Sequence, residues 1–213
     1  MHPSFECGRR PVGVTMTANK KNRAVFLDRD GTINRDVGYP RSWSSIEIYD
    51  YSYEAVRTLN MAGFLVVVVT NQSGVGRGLI TERQVRRIHE KMREEFRAQD
   101  VRIDGFYYCP HHSHSLDLRY RMDCDCRKPH PEMGRRAAAD LNIDTSRSYM
   151  IGDKAEDILF GQNIGAQPIL VLTGYGRDSR ARLKEKKARA AYVAEDLLRA
   201  VEWILSQEEI SIK

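Results

Sequence analysis

The feature that most constrains the fold is a run of six apolar residues at positions 64–69, Phe-Leu-Val-Val-Val-Val. A run of this length, rich in β-branched residues, is typical of a strand buried on both faces of a sheet, and it is far too short to cross a bilayer. Similar short runs at residues 24–27, 106–108, 148–151 and 168–172 alternate with amphipathic stretches. This alternation predicts an α/β fold with a mostly parallel central sheet that is covered by helices on both faces.

Local signals place the helices between these strands. Residues 52–62 read as a helix that Gly63 ends, and Thr81 with Gln84 forms a capping box that opens a helix to about residue 99. Further helices are predicted at 131–141, 155–163, 179–187 and 195–206, and a short strand at 191–193. The expected architecture is a Rossmann-like three-layer sandwich, with one domain spanning residues 23–208 after a flexible leader of residues 1–22.

Composition predicts a soluble, cytoplasmic protein. Charged residues make up 30% of the chain and the mean hydropathy is −0.53. The leader is basic but holds no continuous apolar segment of the kind that a signal peptide needs. The net charge of +5 includes a basic cluster at residues 177–189, which is either a solvated helix face or an attraction for an anionic partner. We expect the solvated face, a monomer, and no nucleic-acid or membrane partner.

Polar side chains follow three of the predicted strands, at the points where the strands end. Open α/β sheets bind ligands outside the carboxyl ends of their strands, so these side chains are expected to converge on one edge. Asp28 and Asp30 follow the first strand, Thr70 and Asn71 the second, and Asp153 and Lys154 the fourth.

This set of groups suits phosphoryl transfer. One carboxylate can attack phosphorus, and a second can give a proton to the leaving alkoxide and later take one from water. Mg²⁺ prefers oxygen ligands and would offset the repulsion between a carboxylate and an anionic substrate. A hydroxyl, backbone N–H groups and a lysine would stabilise the equatorial oxygens of the phosphoryl group.

The order and spacing of four motifs identify the superfamily. The motifs Asp28-x-Asp30-Gly31-Thr32, Thr70-Asn71, Lys128 and Gly152-Asp153-x-x-x-Asp157 resemble those of the haloacid dehalogenase-like phosphatases. The resemblance implies that Asp28 is the nucleophile and Asp30 the general acid/base. It implies that Asp28, the Asp30 carbonyl and Asp153 bind Mg²⁺. Thr70 and Lys128 would hold the phosphoryl group, and Asp157 would support the site from behind.

A second metal site is predicted where three of the four cysteines cluster. Cys109-Pro-His111 is followed, after twelve residues, by Cys124-Asp-Cys126. Three thiolates and an imidazole form a complete tetrahedral zinc set that leaves no position for substrate water, so the expected Zn²⁺ is structural and staples the loop 109–126. His112 and His114 are competing candidates, and free cysteines in a surface loop are the alternative. Cys7 has no assigned role.

The sequence around this loop indicates a family within that superfamily. The stretches 28–34, 70–74, 108–112 and 124–131 are similar to the D-glycero-D-manno-heptose 1,7-bisphosphate 7-phosphatases. The resemblance implies a small phosphorylated sugar as substrate, on the route to lipopolysaccharide, and no large cap domain. Loops at residues 34–46, 71–79 and 109–128 would then select the substrate. The predicted substrate contacts are Asp28, Arg29, Asp30, Thr70, Asn71, Gln72, Ser73, Arg127, Lys128 and Lys154.

Several alternatives stay open at this point. Arg127 could instead form an ion pair with Asp123 or Asp125, and Lys154 could pair with an acidic group of the magnesium site. A histidinol-phosphate phosphatase is the nearest rival, with a shorter spacing in its zinc loop. A polynucleotide 3′-phosphatase lacks support, because the sequence has no aromatic and basic stripe that would track a single strand. A non-catalytic zinc-loop binding module would have no need for two crowded carboxylates.

Overall fold

The computed structural model describes residues 20–208, and these form a three-layer α/β sandwich. The strands are β1 (Ala24–Leu27), β2 (Leu65–Asn71), β3 (Gly105–Cys109), β4 (Tyr149–Gly152), β5 (Gln167–Val171) and β6 (Tyr192–Ala194). The helices are α1 (Tyr51–Met61), α2 (Glu82–Ala98), α3 (Glu132–Asp140), α4 (Ala155–Ile164), α5 (Gly176–Arg182) and α6 (Leu197–Gln207).

The sheet has the strand order β3-β2-β1-β4-β5-β6, and every neighbouring pair is parallel. The prediction of a mostly parallel sheet is therefore confirmed. β1 lies between β2 and β4, with Leu27 in register with Val68 and Ile151. This arrangement matters for function because it brings the carboxyl ends of β1, β2 and β4 side by side.

Alternate residues of β1 point to opposite faces of the sheet, as the pleat requires. Val25 and Leu27 pack in a core formed with helices α1, α2 and α6. Ala24 and Phe26 pack in a second core formed with α3 and α4. All four side chains are fully buried, and the burial of a large apolar side chain such as Phe26 stabilises the fold by about 1.5–3 kcal/mol. Both faces of the sheet are thus covered.

Most predicted element boundaries lie within two residues of the observed ones. The capping box at the start of α2 is present, with the Thr81 Oγ1 accepting from the Gln84 backbone N–H. Gly63 takes a φ of 78° just after α1. The helix predicted at 179–187 is displaced and begins at Gly176 instead. A Cβ at Gly176 would lie 1.8 Å from the Val171 carbonyl oxygen, so only glycine lets the chain turn this tightly out of β5.

The connections that a cap domain would occupy are short. Between β1 and α1 the chain forms one 3₁₀ turn, Trp43–Ser45, and between β3 and α3 it forms no helix or strand. Within residues 20–208 there is accordingly no separate cap domain, as the sequence predicts. Residues 1–19 of the predicted leader lie outside the described residues. Near its end, Asn22 donates its backbone N–H to the Asn142 carbonyl. No helix of the described part is long and apolar enough to span a membrane.

Candidate active site and zinc loop

A cavity of about 410 Å³ opens at the carboxyl edge of β1, β2 and β4. All of the predicted substrate contacts line it except Arg29. The convergence that the sequence analysis expected is therefore present. The lining side chains and backbone belong to Asp28, Asp30, Asp36, Gly38, Tyr39, Thr70, Asn71, Gln72, Ser73, Arg127, Lys128, Lys154, Glu156, Asp157 and Tyr175.

Lys128 lies at the floor of the cavity and bridges two carboxylates. Its Nζ is 2.8 Å from Asp28 Oδ1 and 2.6 Å from Asp157 Oδ1, and it donates to the Val69 carbonyl at 2.8 Å. Burial would lower the pKa of Lys128, but the charges of Asp157 and Asp28 raise it above its ordinary value. The ammonium group therefore stays charged beside Asp28, where an incoming anion would meet it.

Three carboxylates lie close together here: Asp28 and Asp157 line the cavity, and Asp153 is fully buried and does not. Oxygens of Asp28, Asp153 and Asp157 lie within 4.8 Å of one another. Asp157 Oδ2 accepts from the Lys154 backbone N–H, and Asp153 Oδ2 accepts from the Tyr175 backbone N–H. Asp153 Oδ1 is buried and has no hydrogen-bond partner among residues 20–208. Burial, together with the charges of Asp28 and Asp157, raises the pKa of Asp153 to about 8 despite the nearby Lys154.

An uncompensated carboxylate oxygen of this kind fits a hard divalent cation, which binds oxygen ligands and would favour the ionised form. Asp153 is packed tightly enough to hold its orientation: a Cβ at Gly31 would lie 2.3 Å from its Oδ2, and one at Gly174 2.2 Å. Both glycines take positive φ values, 90° and 52°, which other residues rarely adopt. The donor set therefore fits Mg²⁺.

Asp30 lies on the same rim but is held by a different set of partners. It accepts from Arg29 Nε at 3.0 Å and Nη2 at 2.6 Å, from Asn34 Nδ2 at 3.0 Å and from Gln72 Nε2 at 2.9 Å. Burial alone would raise the pKa of Asp30, but the Arg29 charge and these hydrogen bonds lower it below its ordinary value. Asp30 is thus held as a carboxylate of fixed orientation.

The side chain of Arg29 differs from the sequence prediction. It was expected to contact substrate, but it is fully buried behind Asp30 and does not line the cavity. The chain bends at Arg29 just after β1, and the Arg29 carbonyl accepts from the Ile33 and Asn34 backbone N–H groups, while its side chain stays out of the cavity lining that Asp28 and Asp30 share. The side chain contacts Asp30 and His89 instead.

Lys154 and Arg127 add positive charge to the cavity lining. Lys154 Nζ is 3.2 Å from Asp36 Oδ2, 3.9 Å from Asp153 Oδ1 and 4.9 Å from the centre of the Tyr175 ring. Arg127 lines the cavity, and its Nη1 is buried without a hydrogen-bond partner within the described range. Sequence reasoning missed five lining residues: Asp36, Gly38, Tyr39, Glu156 and Tyr175. The first three fall inside the loop 34–46 that is predicted to select substrate, whereas Glu156 and Tyr175 belong to no motif or loop that the sequence indicates as part of the site.

The four predicted zinc ligands come together beside this cavity. Cys109 Sγ lies 3.4 Å from Cys124 Sγ and 3.1 Å from Cys126 Sγ, and His111 Nδ1 lies 3.2 Å from Cys126 Sγ. The sulfurs are too far apart to be bonded, and the three cysteines are free. Three sulfurs and one ring nitrogen within 4.8 Å suit a tetrahedral soft-metal site. His111, rather than His112 or His114, belongs to this cluster.

His89 of α2 makes an acid-sensitive contact below the cavity. Burial, then the charges of Arg29 and Arg93, lower its pKa to about 3, although Asp30 acts in the opposite direction. Between roughly pH 6.5 and pH 3 the unfolded chain therefore binds a proton that the folded chain does not, and stability falls as the pH falls. We expect a loss of about 2 kcal/mol between pH 6.5 and pH 5 from this group alone.

Urea unfolding at pH 7 and pH 5 measures this loss. His89→Gln keeps a polar side chain that does not titrate, so this variant should lose about 2 kcal/mol less between the two pH values than the unsubstituted protein does. Equal losses in the two proteins would contradict a neutral, buried His89.

Comparison with known proteins agrees with this geometry. Residues 125–200 match the HAD-hydrolase-like family. The chain is 48% identical over 153 residues to the D-glycero-beta-D-manno-heptose-1,7-bisphosphate 7-phosphatase of Escherichia coli K12, covering 71% of this chain and 80% of that protein. It is 42% identical over 176 residues to the protein of the same name from Pasteurella multocida Pm70, covering 82% of this chain and 92% of that one.

A solved structure extends the similarity to three dimensions. The D,D-heptose 1,7-bisphosphate phosphatase of B. bronchiseptica, crystallised with magnesium and phosphate, superposes with a TM-score of 0.75 at 32% identity, covering 87% of this chain and 99% of that one. These findings confirm the resemblance that the motifs indicated. The chain therefore belongs to the family of D-glycero-β-D-manno-heptose-1,7-bisphosphate 7-phosphatases, within the haloacid dehalogenase-like hydrolases.

Proposed function

We propose that this chain hydrolyses the 7-phosphate of D-glycero-D-manno-heptose 1,7-bisphosphate through an aspartyl-phosphate on Asp28. The observation that carries the proposal is the contact of Asp28 with the charged Lys128 on the floor of a cavity that Asp30 shares. The family to which the chain belongs supports the choice of substrate. The product would serve as a precursor of the heptose in lipopolysaccharide, and the enzyme would work in the cytoplasm as a monomer.

In the first half of the reaction, a carboxylate oxygen of Asp28 attacks phosphorus. An Asp28–phosphorus bond forms, the bond between phosphorus and O7 of the sugar breaks, and Asp30 gives its proton to O7. The arrival of a phosphate next to Asp30 favours its protonated form, because a neighbouring negative charge raises the pKa of a carboxyl group. Lys128 and the Thr70 hydroxyl hold the equatorial oxygens of the phosphoryl group.

In the second half, Asp30 takes a proton from water, and the water oxygen attacks phosphorus. The Asp28–phosphorus bond breaks, and inorganic phosphate and the free Asp28 carboxylate are released. The lowered pKa of Asp30 in the ligand-free site suits its return to the ionised form. Asp157 accepts from Lys128 at 2.6 Å and so keeps the lysine in place through both halves.

Two metal ions complete the proposed site. Mg²⁺, held by Asp28, the Asp30 carbonyl and Asp153, supplies positive charge that offsets the repulsion between Asp28 and the substrate phosphate. Zn²⁺, held by Cys109, His111, Cys124 and Cys126, is structural. The ligand chemistry separates the two sites, because carboxylates suit the hard ion and thiols suit the softer one.

The remote 1-phosphate is expected to contact Arg127 or Lys154, which both line the cavity. Arginine presents a planar fork of donors to phosphate oxygens, and the unpartnered Nη1 of Arg127 is such a donor. Asn71 supports this wall, because its side chain exchanges hydrogen bonds with the Lys128 backbone at 3.1 and 3.0 Å. Gln72 and Ser73 line the same side. Loops, rather than a cap, therefore select the substrate.

Phosphate release with Mg²⁺ present tests the substrate. We expect kcat/KM for the heptose bisphosphate to exceed that for histidinol phosphate by about 10²-fold or more, since a site that pairs with a second phosphate loses those contacts with a monophosphate. A 3′-phosphorylated oligonucleotide, the other rival substrate, should also have a lower kcat/KM than the heptose bisphosphate. If histidinol phosphate has the highest kcat/KM, the substrate is wrong although the reaction class survives. Comparison of the two anomers of the bisphosphate then tests preference for the β form, which gives the relatives their name.

A further inference from the structure

His89 is a buried titratable residue that the reaction described above does not use. It lies on α2, is 4% exposed, and does not line the cavity. Its ring stacks on Phe106 at a centroid distance of 4.9 Å and meets the edge of Tyr108 at 5.7 Å. An imidazole in such apolar company is neutral unless a partner charges it, and its one polar contact in the described structure is with a cation.

That cation is Arg29. His89 Nε2 lies 3.2 Å from Arg29 Nη1. A guanidinium can only donate, so the imidazole nitrogen must accept, and the ring is the neutral tautomer that carries its proton on Nδ1. The contact therefore has a fixed direction, from Arg29 to His89.

The remaining donors of the same guanidinium reach the general acid/base. Arg29 Nε and Nη2 bind the two carboxylate oxygens of Asp30 at 3.0 and 2.6 Å. Arg29 is completely buried, and its side chain has no route to solvent that would offer other partners. Its fork is thus fixed at both ends, by Asp30 on the cavity side and by His89 on the helix side.

We propose that His89 is a positioning residue for Asp30. His89 holds the Arg29 fork in place, and the fork in turn holds the Asp30 carboxyl group beside the reacting oxygen. The inference rests on the proposed function, because it assumes that Asp30 protonates the leaving group. Catalytic groups must be held within about 0.5 Å of their productive position, and a displacement of about 1 Å can lower the rate about 10²-fold. Loss of the His89 contact removes one of the two supports of the fork.

A leaving group that needs no proton separates positioning from general damage. The sugar alkoxide of the heptose bisphosphate must be protonated as it leaves, whereas p-nitrophenolate leaves without help. For both substrates kcat/KM reports the steps up to the first irreversible one, the transfer of phosphoryl to Asp28. A misplaced Asp30 therefore lowers kcat/KM for the sugar phosphate and hardly affects that for p-nitrophenyl phosphate.

The test compares both substrates in three variants. His89→Met fills the space with only a weak thioether acceptor, and we expect kcat/KM to fall about 10²-fold on the heptose bisphosphate but less than about threefold on p-nitrophenyl phosphate. His89→Gln offers an amide oxygen to Arg29 and should restore most of the selective loss. Met92→Leu, a substitution at a fully buried position on the same helix, should show no selective loss.

The outcomes that overturn the inference are distinct from those that overturn the proposed function. Equal falls on both substrates in His89→Met, or full activity in it, show that His89 does not position Asp30. If His89→Met does not fold, His89→Leu, which also removes the imidazole acceptor, decides: a ratio of the two kcat/KM values within about threefold of that of the unsubstituted protein and of Met92→Leu contradicts an acceptor role. If the unsubstituted protein hydrolyses neither substrate, the proposed function is wrong, and the inference about His89, which rests on it, is wrong as well.

Discussion

Asp28→Asn is expected to lower kcat/KM on the heptose bisphosphate by about 10⁴-fold or more while the protein stays folded. The amide has nearly the shape of the carboxylate but cannot attack phosphorus, and removal of a nucleophile costs a rate factor of this order in other covalent hydrolases. Folding should survive because Lys128 keeps its contact with Asp157. The substitution also removes one negative charge from a cluster of three carboxylates, which lowers the repulsion between the other two and their neighbour. Steady-state phosphate release and a thermal unfolding curve measure the two effects.

Trapping of the intermediate makes this prediction specific. Substrate labelled at the 7-phosphate should transfer label to the protein, and hydroxylamine should remove the label because it cleaves an acyl phosphate. Asp28→Asn should acquire no label. Asp50→Asn is the matched control, since Asp50 is exposed and its side chain makes no capping bond to α1. Full activity in Asp28→Asn, or label in it, would rule out the aspartyl-phosphate mechanism.

The part of this site that sequence could predict is the part that backbone topology dictates. A residue that directly follows a parallel strand lies at the carboxyl edge of the sheet, wherever the rest of its neighbours are. Asp28 and Asp153 are such residues, and Thr70 is the last but one residue of β2, so all three lie beside the carboxyl ends of adjacent strands, where the sequence placed them. The same holds for Thr81, whose capping bond depends only on residues of the next turn.

Contacts that depend on how distant elements pack were not predictable in this way. Arg29 follows a strand like its neighbours, yet its side chain does not line the cavity and contacts a helix residue sixty positions away. His89 lies among the buried positions of α2, between Ile88 and Met92. A polar residue within an apolar stripe was therefore the one signal for this contact, but the sequence does not say which strand residue the stripe faces.

The second large effect is expected when two cysteines of the zinc loop, residues 109–126, are replaced. We expect Cys109→Ser with Cys126→Ser to abolish binding of the proposed zinc and to lower the melting temperature by about 10 °C. A cross-link that closes about 15 residues stabilises a fold by about 3 kcal/mol, and the separation of Cys109 and Cys124 is 15 residues. For a domain of this size each kcal/mol corresponds to about 2–4 °C. Metal analysis of the purified protein and a thermal unfolding curve measure these two changes.

The same double variant should also lose catalytic activity, because the loop ends where the active site begins. Lys128 follows Cys126 by two residues, and its Nζ must stay within 2.8 Å of Asp28. If the cluster is not held, a shift of about 1 Å at Lys128 can lower kcat/KM about 10²-fold. Cys7→Ser and His112→Gln are the controls, since neither residue is in the proposed ligand set, and both should keep zinc and activity. Zinc that is retained unchanged in the double variant would contradict the coordination, and zinc loss without loss of activity would show that the contacts of Lys128 with Asp28, Asp157, Val69 and Asn71 hold it without the metal.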